Sequence, residues 1–259
     1  MVTQHVTEAW KAYKRNLWDI IASLIVMWIV IAVPFLIALI PVLFVLSSGV
    51  VAIGTLRSAS AMQALFQVLA TNIPMLIISV VFFIVAILAA IALSGGFIKV
   101  IYDSLKGRAR VDTMINVARK KFWTIIGANL LAGVLIILVL LVIVFPIAIV
   151  ASVSSLSTVL STLLFLVGIA VWVLFIVLFG FVNQAVVIDN YKATDAVSYS
   201  VKIVSRNYLN LWALFLIFGL ISVILSFIPI IGFIVINFVI SPLAILAYTS
   251  LYIRRKKRR

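Results

Sequence analysis

The chain contains no cysteine. Disulfides and thiolate metal centres are therefore excluded, and cysteine usage says nothing about the redox compartment. Histidine occurs once, as His5, and aspartate and glutamate together occur six times. So few ligands and proton carriers argue against a catalytic metal site, and no cofactor is expected. Charged residues make up only 10% of the chain, where a soluble domain has about a quarter.

What replaces them is apolar. Hydrophobic residues account for 66% of the sequence, and the mean hydropathy is +1.39. The charge that remains is one-sided: twenty Lys and Arg give a formal net charge of +14. This is the composition of an all-α polytopic membrane protein. The first apolar run is too long for a signal-peptide core and has no small-residue cleavage site after it, so it is expected to stay in the mature chain.

One pattern recurs three times. In residues 111–131 an amphipathic, basic helix feeds without interruption into an apolar span. Counting back from Phe122, apolar residues fall at Ala118, Ile115 and Val111. The same steps back from Leu17 reach Tyr13, Trp10 and Val6, and from Tyr208 they reach Val204, Val201 and Val197. That is one stripe of a helix of period 3.6. The polar positions correspond as well: Lys11, Asn116 and Lys202, then Arg15, Lys120 and Arg206. After each anchor stand Trp18, Trp123 and Leu209. Lys, Arg and Trp favour the membrane interface in any helix that enters a bilayer, but identical spacing in three places points to an internal repeat.

The expected architecture is six transmembrane helices in three hairpins, each preceded by an amphipathic interfacial helix. The repeats cover about residues 6–98, 111–188 and 195–253 of a single membrane domain, and a basic tail of six consecutive Lys and Arg occupies 254–259. The first span, 17–46, is longer than the roughly twenty residues needed to cross. Pro34 and Pro41 should kink it or end it early, since each removes a backbone donor. The connection 47–72 should hold a short helix with Met62, Leu65, Phe66 and Leu69 on one face and Ser58 or Ser60 as its cap. It reads as lying along the outer surface, with a re-entrant helix as the sharper alternative.

The second span, 73–98, ends near Ser94-Gly95-Gly96, where a neighbouring backbone can approach closely. A loop over 99–110 turns at Lys106-Gly107. The third span is expected over 123–150, followed by a short serine-rich loop, 151–161. The fourth, 162–188, carries Asn183 and Gln184 near its end. The third interfacial helix is expected over 195–207. Span five, 208–228, turns at Ile228-Pro229-Ile230-Ile231-Gly232, and span six, 233–253, contains Asn237, Ser241 and Pro242.

An even number of spans puts both termini on one side. Nineteen of the twenty Lys and Arg fall on that side, with Arg57 the exception. The Lys/Arg bias makes it cytoplasmic. The expected location is the cell membrane, multi-pass, with both termini inside.

The segment 184–208 carries a resemblance. Ala185-Val186-Val187-Ile188-Asp189 closes a span, Asp195-Ala196-Val197-Ser198-Tyr199-Ser200 opens a basic helix, and Asn207-Tyr208 leads into the next span. This resembles a group of six-span prokaryotic membrane domains that includes the membrane domain fused to some glycerophosphodiester phosphodiesterases, together with families of unknown function. Asp189, Ala196, Ser200 and Arg206 occupy the positions of that pattern. Asp189 stands where the family usually has Glu, and Asn207 stands where Lys or Arg followed by Gly is common. The resemblance implies architecture alone, because no part of this chain resembles the fused catalytic domain.

Enzymatic chemistry needs convergent acids, bases or nucleophiles. Asp103, Asp112, Asp189 and Asp195 are the candidates in the inner loops. Helix capping and the helix dipole explain Asp112 and Asp195, and Asp19 should pair with a basic neighbour. No base stands beside an outer-loop hydroxyl, Gly95-Gly96 is not followed by a phosphate-loop pattern, and a non-enzymatic protein is expected. The spans have no charge in their middle thirds, which argues against ion-driven pumping. Their amides are Asn129, Asn183, Gln184 and Asn237. These serve either interhelical hydrogen bonds or a polar path through the membrane.

The basic face remains. Each Lys or Arg close to an anionic membrane surface contributes roughly 1 kcal/mol. Lys14, Arg15, Arg119, Lys120, Lys121, Lys202, Arg206, Arg254 and Arg255 are expected to bind anionic lipid headgroups, or an acidic cytoplasmic or membrane partner, in a membrane-organising role. Nucleic acid is not expected, since no aromatic platform interleaves with the basic tail. The alternative is a permease, exporter or immunity-type subunit for an apolar or amphipathic small molecule.

Overall fold

A computed structural model describes residues 2–54, 59–153 and 158–256, and their regular structure is entirely helical. In order these are α1 (Val2–Arg15), α2 (Leu17–Gly54), α3 (Ala59–Thr71), α4 (Ile73–Leu105), α5 (Val111–Lys120) and α6 (Phe122–Val153). Then come α7 (Thr158–Leu178), α8 (Val182–Asp189), α9 (Ala193–Ser226), α10 (Ile231–Val235), a π-helical turn (Ile236–Ile240) and α11 (Ser241–Lys256). Among the described residues, six stretches are long and apolar enough to cross a membrane: Leu17–Ser47, Ile73–Leu105, Phe122–Ile143, Phe165–Asp189, Ala193–Ser226 and Ile231–Arg254. The chain is an all-helical, multi-pass membrane protein.

Two compact units form. One comprises Met1–Leu24 with Ser94–Arg259, and the other Ile25–Leu93. The division falls inside the first of the expected repeats. In the smaller unit, α2 continues as helix through Pro34 and Pro41. Neither proline ends it, because a helix in hydrocarbon has no water to offer freed carbonyls, and local adjustment is cheaper than unwinding. Phe35 and Phe83 meet with ring centroids 6.0 Å apart. Along α3, Phe66 and Leu69 are exposed. Ser60 falls inside this helix and does not cap it, whereas Ser58 and the side chains of Met62 and Leu65 lie outside the described residues. So do Arg57 and 154–157, at the apex of the serine-rich loop.

The larger unit holds the basic helices. The expected loop 99–110 is shorter than its sequence suggested, because α4 persists to Leu105 and Lys99 pairs with Asp103 one turn on, at 2.8 Å. The chain then reverses at Gly107, whose φ of 96° favours a residue without Cβ. Gly95 and Gly96 serve the close approach anticipated for them. A Cβ on Gly96 would collide with the Met114 carbonyl of α5, and one on Gly95 would stand 2.6 Å from Ile125 of α6.

Proline shapes the last span differently. Pro242 has no N–H, so the carbonyl of Phe238, four residues earlier, loses its helical donor. The helix widens to a π turn there, and the Tyr13 hydroxyl of α1 donates to the Phe238 oxygen at 2.8 Å. The turn between α9 and α10 lies where Ile228-Pro229 placed it, with Ile230 at a φ of 62°.

Two expectations about helix starts are corrected. The residue preceding α5 is Arg110, and the one preceding α9 is Lys192; neither caps through its side chain. Asp112 and Asp195 lie inside the first turn, where they still meet the positive end of the dipole. Asp19 forms no ion pair among the described residues; its carbonyl accepts the Ser23 hydroxyl at 2.7 Å.

Candidate anion-binding face

Each basic helix is separated from its span by one residue. Asn16 stands between α1 and α2, and Lys121 between α5 and α6. Within α9 the backbone leaves helical geometry at Asn207, with φ −132° and ψ 21°. These are equivalent positions, each immediately before an anchor. The expected uninterrupted passage from basic helix to span is thus corrected: the axis breaks, and it breaks at the same place three times.

The break residues do local work. Asn16 Nδ2 donates to the Ser104 carbonyl at the end of α4 at 3.1 Å, and Arg15 donates to the same oxygen at 2.8 Å. Lys121 Nζ donates to the Val186 and Val187 carbonyls at the end of α8, at 2.8 and 3.0 Å, and to the Asn190 side chain. Both close the C-terminus of a helix, where orphan carbonyls carry partial negative charge. Burial pushes the Lys121 amine below the usual lysine range, nearby Lys99 adds to this, and Asp189 opposes it. Asn207 Nδ2 bonds back to Ile203 of its own helix at 2.9 Å.

The buried stripe on these helices differs from the one read in the sequence. Tyr13, Ala118 and Val204, four before each anchor, are buried as expected. A second position buried in all three lies eight before the anchor, at Ala9, Met114 and Ser200. Trp10 and Ile115, seven before, are exposed. The stripe thus rotates by about one residue, with small or flexible side chains at the eighth position packed on neighbours and Trp10 and Ile115 turned outward.

Ser200 shows what this position does. The fourth span is interrupted between α7 and α8, at Phe179-Gly180-Phe181. The Ser200 hydroxyl donates to the Leu178 carbonyl at 2.8 Å and accepts the Phe181 amide at 3.1 Å. It thereby satisfies one backbone donor and one acceptor at the interruption. Asp189, at the end of α8, accepts the Tyr252 hydroxyl at 2.5 Å. Tyr252 in turn touches Phe181 and Tyr199 edge-on.

Two residues after each break an apolar side chain is exposed. Trp18 and Trp123 are each 80% exposed, and Leu209 is 84% exposed. Around them Lys14, Arg119, Lys120, Lys202 and Arg206 are exposed, and Lys14 lies 5.1 Å from the Trp10 ring. Three of the predicted cations have other employment. Arg15 and Lys121 close helix ends as above, and Arg254 pairs with Glu8. The Arg255 side chain lies outside the described residues.

A pocket of about 620 Å³ opens where α1 meets the ends of α4 and α11. Lys11, Arg15, Lys106 and Arg254 line it, with Glu8, Tyr102 and Ser250. Of these cations Arg15 and Arg254 are among the binders expected from the sequence, whereas Lys11 is expected only as a position of the recurring pattern and Lys106 only as a turn residue. The signal available was the clustering of Lys and Arg at three chain-distant helix ends.

The four amides do not join into one line. Asn129 Nδ2 donates to Asn183 Oδ1 at 2.7 Å and to the Ile125 carbonyl at 2.8 Å. Gln184 is buried, and its side-chain carbonyl has no partner among the described residues. Asn237 bonds back to Phe233 of its own helix at 2.9 Å.

No curated protein and no solved structure matches the chain. The profile of the domain of unknown function DUF7847 matches residues 47–253, most of the sequence, and the chain belongs to that family.

Proposed function

We propose that this is a non-enzymatic membrane module whose basic helices hold anionic lipid at the cytoplasmic leaflet, and that it organises the membrane around it. The observation that carries this reading is the threefold recurrence of one arrangement. At each break a free apolar side chain (Trp18, Trp123 or Leu209) stands within a turn of solvent-facing cations. An apolar anchor beside Lys and Arg is the chemistry of an interface between acyl chains and anionic headgroups. On this reading the three segments are copies of one unit, and the shared break is its inherited feature. The likeness of residues 184–208 to six-span prokaryotic membrane domains belongs to the same proposal, with Asp189, Ala196 and Ser200 as packing residues.

The permease alternative needed a continuous polar path. Asn129 and Asn183 are bonded to each other and Asn237 to its own helix, so three of its four amides are engaged in helix contacts, which favours the first reading.

Native mass spectrometry of the purified protein with phosphatidylglycerol tests the proposal. Charge reversal at Arg119, Lys120, Lys202 and Arg206 together should strip most retained lipid. Undiminished retention contradicts the reading.

A further inference from the structure

The pocket between α1, α4 and α11 differs in kind from the exposed cations, because it is concave and its charge is not cancelled. Glu8 neutralises Arg254 and also accepts the Ser250 hydroxyl at 2.8 Å. With its proton committed to Glu8, Ser250 Oγ takes an N–H from His5 Nδ1 at 2.9 Å. Lys11, Arg15 and Lys106 have no carboxylate partner among the described residues.

Two of the three are held in place. Arg15 is fixed by one bond to the Ser104 carbonyl, which leaves most of its five N–H donors free. Lys106 rests on the Tyr102 ring, 4.2 Å from its centroid. Preorganised, uncancelled positive charge in a cavity of ligand size is a site for a compact, multiply charged anion. Leu105 and Ile253 add an apolar wall on which a glycerol or acyl stem can lie.

We propose that this pocket binds a phosphate monoester group, one per chain, through Lys11, Arg15 and Lys106. Three free cations suit a group that carries between one and two charges near neutrality, and suit a phosphodiester with one charge less well. The idea deepens the lipid-binding reading and rests on it for the lipid source; the pocket and the exposed cations are tested apart.

The experiment is a titration of the full-length protein in neutral detergent, read by native mass spectrometry, with phosphatidic acid, phosphatidylglycerol and inorganic phosphate. Wild-type protein should retain one tight copy of phosphatidic acid and prefer it to phosphatidylglycerol. The Lys11→Ala/Lys106→Ala variant should lose that copy by roughly tenfold or more in affinity. The Arg119→Ala/Lys120→Ala variant should keep it while shedding weaker copies. If millimolar inorganic phosphate displaces the tight copy, the site takes soluble phosphate compounds; if the lipid holds against it, the site takes a lipid headgroup. Both results support the pocket. Equal affinity for the two lipids, or an unchanged tight copy in the Lys11/Lys106 variant that still shows wild-type thermal unfolding, overturns it. If Lys11→Ala/Lys106→Ala unfolds, Lys11→Gln/Lys106→Gln decides by the same criterion. Loss of the weaker copies alone leaves the general lipid reading standing whatever becomes of the pocket.

Discussion

The hydroxyl of Tyr13 donates to the carbonyl oxygen of Phe238 at 2.8 Å, the one acceptor that Pro242 deprives of its helical donor. An amphipathic surface helix thus repairs a defect inside the sixth span. Tyr13→Phe should leave that half-buried carbonyl unsatisfied and destabilise the protein by about 1–3 kcal/mol, measured as thermal unfolding in detergent. Burial also raises the Tyr13 hydroxyl above its ordinary pKa of 10.0. As pH climbs through that ordinary value the unfolded chain ionises first, so the native state loses stability. The wild type should therefore lose its advantage over Tyr13→Phe above about pH 10 and keep it fully below. An advantage that grows with alkalinity would contradict this.

Lys121 closes the end of α8 through two carbonyls. Lys121→Met keeps the stem and removes the donors, and should cost about 1–3 kcal/mol. Its neighbour Lys120 is exposed, so Lys120→Met should be within about 0.5 kcal/mol of wild type. Equal effects in unfolding midpoints would show that Lys121 is only another surface charge.

Ser200 satisfies both sides of the break between α7 and α8. Ser200→Ala should destabilise by about 1–3 kcal/mol. Hydrogen exchange at Phe181 should rise in this variant and stay unchanged in Ser205→Ala, where the hydroxyl is exposed.

Gly96→Ala should be poorly tolerated, because the new methyl meets the Met114 backbone and α4 and α5 must separate. A loss of about 1–3 kcal/mol is expected. Gly133→Ala, where nothing lies within 4 Å of the added atom, should be neutral or slightly stabilising.

A double-mutant cycle on Asn129→Ala and Asn183→Ala should give a coupling of roughly 0.6–2 kcal/mol, as for interhelical hydrogen bonds in membranes. Near-zero coupling would return the two amides to the pool of residues open to a solute path.

The spans were legible because apolar runs of this length have one stable form in a bilayer. The turn at Lys106-Gly107, the close approach at Gly95-Gly96 and the reversal at Ile228-Pro229 were legible for the same local reason: backbone chemistry marks them. The three breaks were not, since one residue leaving helical geometry changes no propensity. Nor was the burial of Ala9, Met114 and Ser200, three chemically unlike residues that share only a place in the packing. The pocket escaped because Lys11, Lys106 and Arg254 lie far apart in the chain and meet only through tertiary structure. Of the two outcomes open to Pro34 and Pro41, a kink or an early end, the early end does not occur, since unwinding would expose carbonyls to hydrocarbon.

The central claim is that the three basic junctions share the cytoplasmic leaflet. The cysteine-free chain allows a direct measurement: Lys14→Cys, Arg119→Cys, Lys202→Cys and Phe66→Cys, introduced singly and probed with a membrane-impermeant maleimide in sealed vesicles of both orientations. The account predicts labelling of the first three from the cytoplasmic side alone and of the fourth from the opposite side alone. Labelling of any one of the first three from the outer side would contradict it.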